Sequence, residues 1–124
     1  MVTIHWVHAG IDALHGLRRL LDGGASLQVW TRDGALAGVA PEIQQVMDLD
    51  ALRQAVRPGD IVVAPRPTDL AVAQVAMDRG AHLAVGWHAS QGLRRTVAGA
   101  ADRGLAVLAE AGMVPGIEHL MARD

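Results

Sequence analysis

The chain has 124 residues, a formal net charge of −2 and no cysteine. That length allows one domain with a core that needs no staples, and the missing thiols exclude disulfides, cysteine nucleophiles and cysteine-ligated metals. Lysine is absent too, so all eleven basic residues are arginine, and without a basic run there is no electrostatic footprint for nucleic acid or an anionic membrane. No apolar run approaches the roughly 20 residues that span a bilayer, and no basic segment leads into an apolar one at the N-terminus, so a soluble, cytoplasmic protein is expected.

Residues 2–21 read as a buried strand, a turn of small residues and a helix opening at that turn. A helix starting there points unpaired backbone N–H groups and the positive end of its dipole out of the turn, which suits a pyrophosphate. Against the pattern G-x-G-x-x-G/A, Gly10 takes the second position and Ala13 an allowed third, while His8 stands where the first glycine belongs. The turn therefore offers His8, Ala9, Gly10, Ile11 and Ala13 as dinucleotide contacts. A residue other than glycine fits the first position if its φ is negative. Imidazole adds bulk where the pyrophosphate approaches, and adds a charge-assisted bond to phosphate only when protonated.

Asp22-Gly23-Gly24-Ala25 turns the chain into a second strand, residues 26–31, which ends at Arg32-Asp33-Gly34. Residues 35–40 are short and broken by glycine, so a second crossover helix is reduced or missing before a weak strand at 43–47. Asp50 is placed to cap a helix over 51–56, and Arg57-Pro58-Gly59-Asp60 ends it. Ile61-Val62-Val63-Ala64 is continuously apolar, as a strand covered on both faces should be. A loop at 65–68, a helix over 69–79, a strand at 81–86, a helix over 90–103 and a strand at 105–109 follow. Six strands and their crossovers predict a single-domain α/β fold, a Rossmann-like doubly wound parallel sheet in the order 3-2-1-4-5-6.

In such a sheet the end of the second strand faces the adenine ribose. Thr31, Arg32 and Asp33 are the candidates: Arg32 could stack on adenine and pair bidentately with a 2′-phosphate, which favours NADP, whereas Asp33 could accept from the 2′-hydroxyl of NAD. The alternative for Arg32 is a solvated surface arginine. Pro65 and Arg66, in a loop stiffened by two prolines, form the next wall of the cleft, while Thr68 or Asp69 caps the following helix.

Three stretches, Ile4-His5-Trp6-Val7-His8-Ala9-Gly10 with Gly16-Leu17-Arg18-Arg19-Leu20, Val29-Trp30-Thr31-Arg32, and residues 110–122, together resemble the NAD(P)-binding domain of saccharopine dehydrogenases. The last is the most specific: Gly112-Met113-Val114-Pro115-Gly116-Ile117-Glu118-His119 stands where that family carries Gly-Leu-Asp-Pro-Gly-Ile-Asp-His. The resemblance covers the whole chain but only the amino-terminal third of the family's length. It implies an oxidoreductase that holds NAD(P) at the carboxyl ends of its strands, with Gly112 among the cofactor contacts and an amino-acid substrate domain following. Residues 1–114 would be the dinucleotide domain, and 115–124 a terminal helix leading onward. Val114, in place of the family's aspartate, removes a polar group from the nicotinamide side.

His5 and His82 lie within strands and are expected to be packing residues with one satisfied nitrogen each. His8 and His88 fall near strand carboxyl ends, but no spacing suggests a metal. The only serines, Ser26 and Ser90, form no nucleophile elbow, and Trp6, Trp30 and Trp87 read as core or cleft wall. No catalytic constellation assembles from these residues, since in such dehydrogenases the cofactor carries the hydride and a second domain supplies the substrate pocket. The terminal helix either folds back on the sheet or offers Ile117, Leu120 and Met121 to a second copy in a homodimer. Two readings stand: the nucleotide-binding part of an amino-acid dehydrogenase, or a non-catalytic scaffold that acts by self-association.

Overall fold

Apolar runs alternating with amphipathic stretches build a parallel sheet wrapped by helices. The computed structural model describes residues 2–9, 14–31, 38–65, 70–86 and 90–108. Strand β1 (Thr3–Ala9) is followed by α1 (Leu14–Asp22), β2 (Ser26–Thr31), a 3-10 turn (Pro41–Ile43) and β3 (Gln44–Val46). Then come α2 (Leu49–Ala55), β4 (Ile61–Ala64), α3 (Leu70–Arg79), β5 (His82–Val85), α4 (Gln91–Thr96), a second 3-10 turn (Ala101–Arg103) and β6 (Val107–Leu108). Every pairing is parallel, and the order is β3-β2-β1-β4-β5-β6, as expected.

The reversal of winding between β1 and β4 divides the helices between the two faces, because right-handed crossovers to the left and to the right lie on opposite sides. On one face Leu17 of α1 packs with Ala9, Leu27, Val29 and Val39. On the other, α2, α3 and α4 bury Leu52, Val72, Val75, Met77 and Leu93 against Val7, Trp30, Val62, Leu83 and Val85. Val7 and Ala9 would share a face in a regular strand. They do not, because the β1–β2 register shifts between them and His8 adopts a left-handed backbone, φ 53°. Ala9 is thereby turned toward α1.

Two helix boundaries differ from the sequence expectation. Asp48, not Asp50, caps α2: it is extended (φ −150°, ψ 125°), and its carboxylate accepts from the Asp50 N–H. The helix expected over 90–103 is capped by Ser90, whose Oγ accepts from the Leu93 N–H at 3.0 Å, but it stops at Thr96. Gly99 has φ 85°, a left-handed backbone that an α-helix does not accommodate, and the chain re-forms only a 3-10 turn beyond it.

Candidate functional site at the carboxyl edge of the sheet

Ligands of doubly wound sheets sit beyond the carboxyl ends of the strands where the winding reverses. Here that crevice lies between β1 and β4. The described residues at the strand ends that border it are His8 and Ala9 at the end of β1, Thr31 at the end of β2, Pro65 after β4 and Gly86 after β5. Gly10, Ile11, Ala13, Arg32, Asp33, Arg66, Thr68, Asp69, Trp87, His88, Gly112, Val114 and residues 115–124 lie outside the described residues.

His8 departs from the condition that made a non-glycine residue acceptable, because its φ is positive. It therefore holds the backbone shape that the glycine of the pattern would adopt, at a steric cost of roughly 1–2 kcal/mol for an L-residue. Ala9 is 5% exposed and pairs with Thr31. Among the described residues of α1, the turn from Leu14 carries no acidic residue to repel an anion, whereas Asp12 precedes it in the sequence.

Thr31 is also placed differently from its expected role. It is 2% exposed, its hydroxyl donates to the Gln45 carbonyl at 3.3 Å, and its own carbonyl accepts from the Met47 N–H at 2.8 Å. The side chain is committed to joining β2 to β3 rather than to the ribose contact expected of it. At the next wall, a Cβ on Gly86 would stand 3.2 Å from the Pro65 carbonyl oxygen. The β4 and β5 exits touch backbone to backbone there, and the absence of a side chain on Gly86 permits it.

The opposite, amino edge carries a polar cluster that sequence reasoning missed. His5 and Asp60 are 2% and 4% exposed, and His5 Nε2 lies 3.1 Å from Asp60 Oδ2. The Trp30 indole N–H donates to His5 Nδ1 at 3.3 Å. Indole only donates, so Nδ1 is the acceptor and Nε2 carries the hydrogen that goes to Asp60. His5 thus has both nitrogens engaged, one more than expected.

Asp60 also accepts from the backbone N–H groups of Thr3 and Arg57, each at 3.0 Å. Burial works to raise the Asp60 pKa, but the hydrogen bonds from Arg57, Thr3 and His5 outweigh it and hold the carboxyl below its usual range. A cleft of about 400 Å³ lies here, lined by Thr3, His5, Gln28, Gln45, Ala55, Arg57 and Asp60. With the imidazole fully hydrogen-bonded, the cluster ties β1, β2 and the start of β4 together and offers no spare base. The only sequence signal for it was the parity of His5 with Val7 on one face of β1.

His82 behaves as expected: its Nδ1 accepts from the Ala106 N–H at 2.9 Å, joining β5 to the approach of β6. Trp30 is core, whereas Trp6 is half-buried and its Nε1 has no hydrogen-bond partner among the described residues. Among the described residues no group of three His, Asp or Glu could hold a metal ion, and no helix is long and apolar enough to cross a membrane.

No protein-family model and no curated protein sequence matches the chain. Solved structures do. The chain is similar to the "YPO2259 putative oxidoreductase" of Yersinia pestis, with 19% identity and a TM-score of 0.63 over 98% of this chain and 39% of that one. It is also similar to S. aureus homoserine dehydrogenase, with 13% identity and a TM-score of 0.61 over 94% of this chain and 34% of that one. Each likeness is one of fold, and the chain spans between a third and two fifths of either neighbour's length.

Proposed function

We propose that this chain is the NAD(P)-binding domain of an oxidoreductase similar to saccharopine dehydrogenase, serving hydride transfer on an amino-acid substrate when joined to a substrate domain. The observation that carries the reading is the switch point itself. The sheet order reverses between β1 and β4, and β1 leaves its carboxyl end through a left-handed residue that leads toward α1. What supports the fit is the backbone of His8, which supplies the glycine-like φ; Asp12, in the same turn of the sequence, is an acidic side chain that an anion must avoid.

In this reading the His8–Ala13 turn receives the pyrophosphate on backbone N–H groups. Arg32 pairs with the 2′-phosphate of NADP, the preferred cofactor, and NAD is the alternative. Pro65, Arg66 and Gly112 wall the remainder. The bound nicotinamide supplies the hydride chemistry, while the chain's own residues bind and orient it. Two neighbours of the same fold, one named as an oxidoreductase and the other as a homoserine dehydrogenase, support the reading.

The imidazole at position 8 favours the second reading, a self-associating scaffold that has lost its nucleotide. Calorimetric titration with NADPH and with NADH separates the two. Saturable binding with a preference for one coenzyme supports the first reading; silence to about millimolar concentration, below roughly 4 kcal/mol of binding free energy, overturns it.

A further inference from the structure

The ring of His5 joins β2 to the start of β4 across β1, accepting from the Trp30 indole at Nδ1 and donating to Asp60 from Nε2. A proton would act on these two bonds in opposite ways. The bond to Asp60 survives protonation of the ring and gains charge assistance. The bond from Trp30 cannot survive, because a protonated Nδ1 is a donor and would face an indole N–H that is also only a donor. With no spare lone pair, the ring takes a proton only by giving up the indole. The ring centroids are 6.3 Å apart and the planes are tilted by 35°. The imidazole therefore lies off the indole edge that carries the N–H, not over the face that would hold a cation.

The charges around the ring favour entry of that proton. Asp60, at 3.1 Å, remains a carboxylate in mild acid, because despite its burial the hydrogen bonds from Arg57, Thr3 and His5 keep its pKa below the usual value. The cleft at the amino edge reaches His5 and gives water a path to it. Its other described walls are Thr3 of β1, Gln28 of β2, Gln45 of β3 and Ala55 of α2, all uncharged, and Arg57 in the turn before β4. Arg57 is exposed, so solvent screens its repulsion, and the carboxylate in contact with the ring outweighs it. Trp30 has no such relief. It is fully buried in the core cluster that holds Leu52 and Val56, where a donor without an acceptor bears the whole cost of its lost hydration.

We propose that His5 is a proton-operated latch on Trp30, closed while the imidazole is neutral and opened when Nδ1 takes a proton, which displaces the indole within the core while the His5–Asp60 bond and the sheet stay intact. Trp30 directly precedes Thr31, the last residue of β2. The displacement is thus delivered one residue from a strand end that borders the crevice. The latch does not depend on a coenzyme binding there.

Heteronuclear NMR of the nitrogen-labelled full chain, titrated from about pH 8 to about pH 4.5 across the range in which imidazole changes charge, tests the latch. Trp6→Phe and Trp87→Phe identify the Trp30 indole signal by elimination. If either variant fails to fold, cross-relaxation between that indole proton and the His5 ring identifies it in the wild type. At high pH the His5 nitrogens should report the Nε2–H tautomer. On acidification both should become protonated, and the Trp30 indole signal should shift with the same midpoint while the methyl spectrum keeps its dispersion. Protonation of His5 with the Trp30 signal unmoved would overturn the proposal, as would a His5 ring that stays neutral throughout or starts as the Nδ1–H tautomer. Collapse of the methyl dispersion in the same step would overturn it too, since that is unfolding and not a latch.

Discussion

Asp60→Asn tests whether the buried cluster at the amino edge ties the sheet together. The wild-type carboxylate accepts three hydrogen bonds, from Thr3 N–H on Oδ1 and from Arg57 N–H and His5 Nε2 on Oδ2. An amide keeps one oxygen, which serves at best two of these donors. Its NH2 then faces the third donor, leaving that group unpaired at about 1–3 kcal/mol. The two retained bonds lose their charge assistance, roughly half their strength. Together the loss is about 3 kcal/mol, a fall of about 1–2 M in the urea midpoint for a domain of this size.

The pH dependence follows from the depressed Asp60 pKa. A carboxyl held lower in the folded than in the unfolded state contributes stability that is fully present above its ordinary value of 3.8 and is lost as pH falls through the lower folded value. The wild-type advantage over Asp60→Asn should therefore be constant near neutrality and shrink below about pH 3.8. Urea unfolding of both proteins across this range is the assay. A difference under about 0.5 kcal/mol at neutral pH, the scatter of an ordinary surface substitution, or a gap that does not narrow in acid, refutes the reasoning.

His8→Gly should raise stability by about 0.5–1 kcal/mol, since relief of a left-handed L-residue outweighs the entropy of glycine; it should also tighten NADPH binding, and thermal melting with and without coenzyme reads both. Leu17→Ala removes a fully buried side chain between α1 and β2 and should cost about 2–5 kcal/mol in urea unfolding. Arg53→Ala breaks the 2.9 Å bridge from α2 to Asp78 of α3, but its partners are 44% and 42% exposed, so the loss should stay below about 1 kcal/mol and vanish in high salt.

The sheet order was legible because each strand announced itself as a short apolar run between Gly, Pro and Asp, and because the winding rule leaves few ways to assemble six of them. Boundaries were less legible where two residues compete for one task. Asp48 and Asp50 are equally good caps in sequence, and only the extended backbone at Asp48 decides between them.

Gly99 gave a visible warning within a helical stretch, but its weight depended on the left-handed φ that it adopts. The His5–Asp60–Trp30 cluster joins residues 55 and 25 positions apart. No local pattern encodes it, and it emerges only once β1, β2 and β4 lie side by side. At the candidate site the sequence singled out His8, whose backbone is indeed unusual, while the commitment of Thr31 to Gln45 required knowledge of the β2–β3 register.

The outermost strands, β3 with three residues and β6 with two, limit how the molecule meets its own kind. An open sheet presents unpaired N–H and C=O groups along both margins, a template onto which another chain could zip. Among the described residues, margins this short offer only a few such groups, too little ladder to hold a foreign strand. Among the described residues the most exposed large apolar side chain, Val46, sits on one of them at 69% exposure, beside a proline-led turn that interrupts the run. Brevity at the margins thus guards against filament growth in a protein whose central strands are apolar enough to promote it.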